Sequence, residues 1–226
     1  MKKPDIDAIR EAWLLNTEAE ADLWLSHIDR RTKEILDMNA SDRVAVFETG
    51  ELLFNVFSYL NWLAHIHFRE AHHVKEDKHP NNKDMISFLQ SATKWPREAC
   101  EAFWFIIRNP LMHTGRTSLF AKHERKSSVG NTLFADVHPD LTFDPRRFQP
   151  DEYKPGVEDD GFIALPPDDS DTEVVVWFYF PGIRRKLQDA KEFVLDGIRT
   201  ADDQSILGLR KINTKTLAFR ISASTG

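Results

Sequence analysis

The sequence predicts a single, mainly α domain with a small antiparallel β insertion before its last core helix. Three observations carry that expectation. Apolar residues recur at helical spacing through most of the chain up to about residue 108. From about Thr117 to Phe180, short β-branched or aromatic runs alternate with Gly, Pro, Asp and Ser, a strand-and-turn pattern. Helical spacing then returns over residues 182–199. With 226 residues, 41% of them hydrophobic, the chain can bury a core without covalent staples.

Ile6, Ile9, Trp13, Leu23, Trp24 and Ile28 mark one side of an amphipathic helix from Asp5 to about Ile28, with Glu18, Glu20 and Asp22 on the other. Ser41 is placed to cap a second helix reaching about Arg69, with Asp42 in its first turn. Its apolar positions form two adjacent stripes: Leu52, Val56, Tyr59, Leu63 and Ile66, and Leu53, Phe57, Leu60 and Ala64. A face that broad predicts a central helix packed on more than one side. Its polar stripe, Glu48, Glu51, Asn55, Ser58 and His65, faces either water or a site. "HHVKEDKHPNNKD" reads as a polar loop, with Asp84 or a neighbour capping a short helix through Ser91. Pro96 suits the first position of the following helix, which ends in Phe103, Ile106 and Ile107. Residues 117–180 form the predicted β-rich insertion, and its acidic loops "VEDDG" and "PDDSD" lack EF-hand spacing and read as solvated turns. Ile183, Leu187, Ala190, Val194 and Ile198 mark the returning helix, and the tail after Asp202 fits either a short helix or an extended segment.

The single cysteine, Cys100, excludes an internal disulfide framework and fits a reducing compartment, with the cytoplasm as the default. No stretch approaches the roughly 18–20 apolar residues of a membrane span, and "MKKPDIDAIREAW" has no apolar core of a signal peptide. A formal charge of -6 argues against a generally basic nucleic-acid coat but leaves room for a local basic patch. The Gly-rich phosphate loop, the G-x-S-x-G elbow and the dinucleotide fingerprint have no match in the sequence.

The segment "FWFIIRNPLMHTG", residues 103–115, brings a guanidinium and an imidazole together at the end of an apolar element. Asn109 is a favoured helix cap and Pro110 a favoured first helical residue, so one helix is predicted to stop near Arg108 and a short one to start at Asn109. Arg108 and His113 would then meet across the junction in the geometry of a hydrophobic staple.

Arg108, Asn109 and His113 in "RNPLMH" resemble the R-x(4-6)-H signature of the HEPN superfamily, in which a polar residue, often Asn, follows the Arg. The resemblance covers the helical two-thirds of the chain. It implies a bundle of four or five helices, and a metal-independent endoribonuclease of the toxin-antitoxin, abortive-infection or CRISPR-associated kind. Gly115 stands where some members carry a Tyr that is modified by a nucleotidyl group.

The chemistry of the residues agrees. Cleaving RNA without metal needs a base for the 2′-hydroxyl proton, an acid for the leaving 5′-oxygen and a cation for the charged phosphorane. One His and one Arg are too few, and a two-fold homodimer supplies two of each. A histidine's unperturbed pKa is about 6.5, which suits His113 to either side of a proton transfer, whereas Arg108 stays charged and offers a planar fork to phosphate. Asn109 can orient either. Downstream, Arg116, Lys122, Arg125 and Lys126 make the stretch from Arg108 to Lys126 net positive and serve as candidate RNA-binding residues. The expected partners are RNA, a second copy of the chain and an antitoxin protein, with no membrane and no cofactor.

Other readings compete. The Arg-Asn-Pro-His junction fits a plain structural turn, and a HEPN-like protein without catalysis would be a binding or sensor module. His65, His67, His72, His73 and His79 invite a metal site, but no Cys accompanies them and none shows the H-E-x-x-H spacing. Cys100, in an apolar run, reads as a small core residue, and the six tryptophans at helical spacing read as core rather than base-stacking platforms.

Overall fold

The computed structural model describes residues 5–39, 41–42, 50–72, 80–114, 125–126, 130, 132–138, 140–143, 162–165 and 173–207. Within these, the protein is mainly helical. Helix α1 spans Ile6–Leu36, and the Asp5 carboxylate caps it by accepting from the Ala8 amide. It runs two turns beyond the predicted end at Ile28. The extension is polar on the outside, where Arg31 bridges Glu34 and Glu51, but Ile35 remains buried.

Helix α2 covers Glu51–His72. It does not run unbroken from Ser41, because Gly50 has φ 65°, a left-handed conformation that glycine adopts without strain and that interrupts a right-handed helix. Both predicted stripes are buried, from Leu52 and Leu53 through Ile66, as a central helix requires. Of its polar stripe, Glu51 is exposed and paired with Arg31, while Asn55, Ser58 and His65 are half-buried; Glu48 lies outside the described residues. Helix α3, Asn82–Thr93, starts with a capping box in which the Asn81 side chain accepts from the Asp84 amide and the Asp84 carboxylate accepts from the Asn81 amide. The C-terminal helix, Phe180–Thr200, packs on all three. Lys191 on it is buried and anchored to Asp22 of α1 at 2.7 Å, and Arg184 makes a two-pronged contact with Asp29. The tail begins with a helical turn at residues 203–207, which buries Ile206, and continues outside the described residues. Among the described residues no helix is long and apolar enough to cross a membrane.

Between α3 and the sheet lies one helical rod of three parts: α4 (Arg97–Glu101), a π-helical segment (Ala102–Arg108) and α5 (Asn109–Thr114). Pro96 sits one residue ahead of α4, at its N-cap. The helix Phe180–Thr200 is therefore α6. Strands β1 (Arg125–Lys126), β2 (Thr132–Val137), β3 (Phe162–Leu165) and β4 (Glu173–Phe178) form a sheet of order β1-β2-β4-β3. All four fall within the predicted insertion, 117–180. The expected antiparallel pairing holds for β1 with β2 and for β3 with β4, but β2 and β4 are parallel, from Thr132 opposite Glu173 to Val137 opposite Phe178. A parallel pair needs a long crossover, and the chain from residue 138 to 172, which contains β3, supplies it. Local alternation identifies strands but not their direction. The loops "VEDDG" and "PDDSD" lie outside the described residues.

One face of the sheet closes on the π segment. Leu133 and Val137 of β2, two pleat repeats apart, are buried with Val176 and Phe178 of β4 and Phe162 of β3. Phe178 meets Phe103 and Trp95 at ring separations of 4.9 and 5.3 Å. On the other side Phe103 meets Phe57 of α2 at 4.7 Å. The π segment is thus the shared core between bundle and sheet.

Asp136 gives the sheet a pH dependence. It is half-buried on β2, and loss of water around its carboxylate pushes its pKa up, against the Val137 amide and His138, which pull it down. A folded pKa above the unfolded one, about 3.9, means that the native state binds more protons between the two values. Stability therefore falls as pH rises through that window and stays lower above it. Asp136→Asn is expected to raise the melting temperature slightly at pH 7, with the gain shrinking toward zero below about pH 4. Equal gains at both pH values would assign the effect to something other than the carboxylate charge.

Candidate functional site

The predicted boundary is where the structure has it, with the π-helical segment ending at Arg108 and α5 starting at Asn109, but the chain does not break there. Asn109 has φ -65° and ψ -47°, right-handed helical values, and the rod passes through it into α5. Proline disfavours that conformation in the residue before it, has no N–H for the carbonyl four residues back and crowds that carbonyl. Those penalties led the sequence to predict a break. The chain instead changes register upstream, where Ala102–Arg108 takes the wider i→i+5 pattern. Insertions of this kind are common at functional sites. Asn109 is consequently not a cap, and Arg108 and His113 do not occupy the staple positions.

That leaves the Asn109 side chain available, and its Oδ1 accepts a hydrogen bond from Arg108 Nη1 at 3.0 Å. The Arg108 guanidinium lies over the Trp104 ring, 4.7 Å from its centroid. Trp104 is itself buried, edge-on to Phe57, and its Nε1 donates to Asn82 Oδ1 at 3.0 Å. Arg108 is half-buried, and loss of water lowers its pKa below the usual guanidinium value. In the same structure Arg10, Arg30, Arg31, Arg97, Arg184 and Arg199 each pair with an Asp or Glu. Among the described residues no carboxylate pairs with Arg108.

His113 is on α5, one helical turn after Asn109. The helix thus brings the backbones of the three motif residues together, with Asn109 between the other two along the rod. Of the candidate RNA-binding residues, Arg125 and Lys126 form β1, which contacts the π segment, and Lys126 is exposed; Arg116 and Lys122 lie outside the described residues. Sequence reasoning missed Trp104 and Asn82. Trp104 was findable, since it precedes Arg108 by four residues, the spacing at which helical side chains meet, and tryptophan faces attract guanidinium groups. Asn82 was not, because its partner is far along the chain.

Cys100 is fully buried, burial pushes its thiol pKa up, and its Sγ contacts the Trp95 carbonyl, so it packs as a small core residue rather than as a nucleophile. His67 lies edge-on to Phe68 and tilted against Phe88 and Phe193. The rest of the histidine group is split: His65 is half-buried, His72 ends α2, and His73 and His79 lie outside the described residues. Among the described residues no three His, Cys, Asp or Glu side chains converge as a metal site would need.

Asn109→Ala separates the two roles considered for this residue. Loss of a cap would cost about 1 kcal/mol, whereas alanine is the better residue inside a helix. Thermal melting is expected to stay within about 0.5 kcal/mol of wild type; if Arg108 is the phosphate ligand that the sequence predicts, RNA binding should weaken because Arg108 loses its tether. A clear drop in melting temperature with binding intact would return Asn109 to a structural role. No protein-family model, curated protein or solved structure matches this chain.

Proposed function

We propose that the chain is a HEPN-like, metal-independent RNA endonuclease that acts as a cytoplasmic homodimer in a toxin-antitoxin or phage-defence setting. The observation that carries this reading is Arg108: a half-buried guanidinium with no carboxylate partner among the described residues, held by an aromatic face and an amide oxygen. An uncompensated buried cation is costly unless an anion completes it, and a phosphodiester is the anion that its planar fork fits.

His113 of one protomer takes the 2′-hydroxyl proton, and the 2′-oxygen attacks phosphorus. The 5′-oxygen leaves with a proton from His113 of the other protomer, giving a 2′,3′-cyclic phosphate and a 5′-hydroxyl. Arg108 from each protomer stabilises the charge on the phosphorane. Asn109 holds Arg108 in place. Arg116, Lys122, Arg125 and Lys126 hold the flanking backbone by charge.

Incubation with RNA in EDTA tests the chemistry: cleavage is expected to persist and to leave cyclic phosphate ends. Activity that disappears with EDTA and returns with zinc or manganese would move the chemistry to a metal. Binding without cleavage in either condition would leave an idle HEPN-like binding or sensor module. Light scattering tests the assembly, for which a dimer at micromolar concentration is expected. A monomer that retains activity would remove the composite site.

A further inference from the structure

We propose that Trp104 and Asn82 are positioning residues for Arg108, holding its guanidinium so that the Nε–Nη2 edge meets the phosphate. This rests on reading Arg108 as the phosphate ligand.

The geometry fixes two of the guanidinium's options. Its face is covered by the Trp104 ring at 4.7 Å, and its Nη1 corner is tethered to Asn109 Oδ1 at 3.0 Å. The Nε–Nη2 edge has no partner among the described residues. Two parallel N–H bonds from one edge are how arginine grips a phosphate, so the free edge is the working one. Trp104 cannot stack on a base, because only 2% of it is exposed.

The ring is held in turn. A buried indole N–H needs an acceptor, and Asn82 provides one from the first turn of α3. That turn is locked by the capping box of Asn81 and Asp84. Packing alone explains a buried Trp with a satisfied N–H. It does not explain a cation laid on its face without a counter-charge among the described residues. An arginine on a flexible stem gives up about 2 kcal/mol of rotamer entropy when a ligand orders it, and an arginine already held flat has less to lose on binding.

The test uses the full-length protein and a 2′-O-methyl RNA oligonucleotide, which binds but cannot be cleaved. The Arg108 Nε–H resonance, assigned by its loss in Arg108→Lys, is expected upfield in the ring current of Trp104. Trp104→Leu should return it toward the solvent-exposed position and weaken oligonucleotide binding roughly 3- to 30-fold, the range of a cation–π contact. Trp104→Phe keeps an aromatic face and should retain most of the affinity. Asn82→Ala changes an exposed residue, so it remains informative if Trp104→Leu fails to fold; it should shift the Arg108 resonance and weaken binding by a smaller factor.

An unchanged resonance in Asn82→Ala, unchanged affinity in Trp104→Leu, or equal losses in the Leu and Phe variants overturn the proposal. Affinity that tracks Trp104 while wild type cleaves no RNA removes the endonuclease reading and keeps the positioning role. Cleavage that needs Arg108 but ignores Trp104→Leu does the reverse.

Discussion

His113→Ala is expected to lower the rate of RNA cleavage by at least about a hundredfold, the low end of what a positioned acid or base contributes, while the protein folds as before. His113 is on a short helix, and alanine has the highest helical propensity, so the exchange should not weaken α5 through the backbone. In a composite dimer the substitution removes both the base and the acid, so the loss should be larger than for a site with one working histidine. Arg108→Ala should abolish most activity too, with a different signature. It removes a phosphate contact from each protomer and so weakens RNA binding, whereas His113→Ala should leave binding close to wild type. If the protein is a toxin, both variants should be tolerated at expression levels where wild type halts growth. Equal cleavage by wild type and His113→Ala would sink the assignment, and an unfolded His113→Ala would make the residue structural.

How much of this was legible in the sequence depends on whether the signal is local. The two stripes of α2 were readable because each apolar position is one turn from the next and every one is buried. The end of α1 was misplaced because residues 29–34 are mostly charged, and their helix is supported by Glu51, which is distant in sequence. Strand direction was beyond reach for the same reason, since the β2–β4 pairing joins residues some forty positions apart. The boundary between Arg108 and Asn109 was legible, but the break expected there was not found. Asn-Pro favours a break by about the energy that tertiary contacts can override, and here Phe103 is held from both sides while Trp104 and Ile107 are buried. The chain keeps those contacts and absorbs the proline by widening its register.

The largest expected loss of stability follows from that same arrangement. Phe103→Ala should cost about 3–5 kcal/mol, the usual range for truncating a buried aromatic ring. Phe103 is fully buried and touches rings from two elements and a connection: Phe57 of α2, Phe178 of β4 and Trp95 ahead of α4. Those neighbours belong to different layers, so none can close the cavity without pulling bundle and sheet together, and the site should collapse poorly. For a chain of this length about 1 kcal/mol moves the melting point roughly 2–4 °C, so the midpoint should fall by roughly 6–20 °C. Phe103→Leu, which keeps most of the volume, should cost much less. The same variants distinguish stability from chemistry. Well below its lowered midpoint Phe103→Ala should still cleave RNA at a rate not far from wild type, because the residue points into the core and not at Arg108. His113→Ala should be inactive at any temperature at which it is folded. A Phe103→Ala protein that melts within about 2 °C of wild type, less than the shift expected from 1 kcal/mol, would mean that the sheet does not lean on the π segment for its stability.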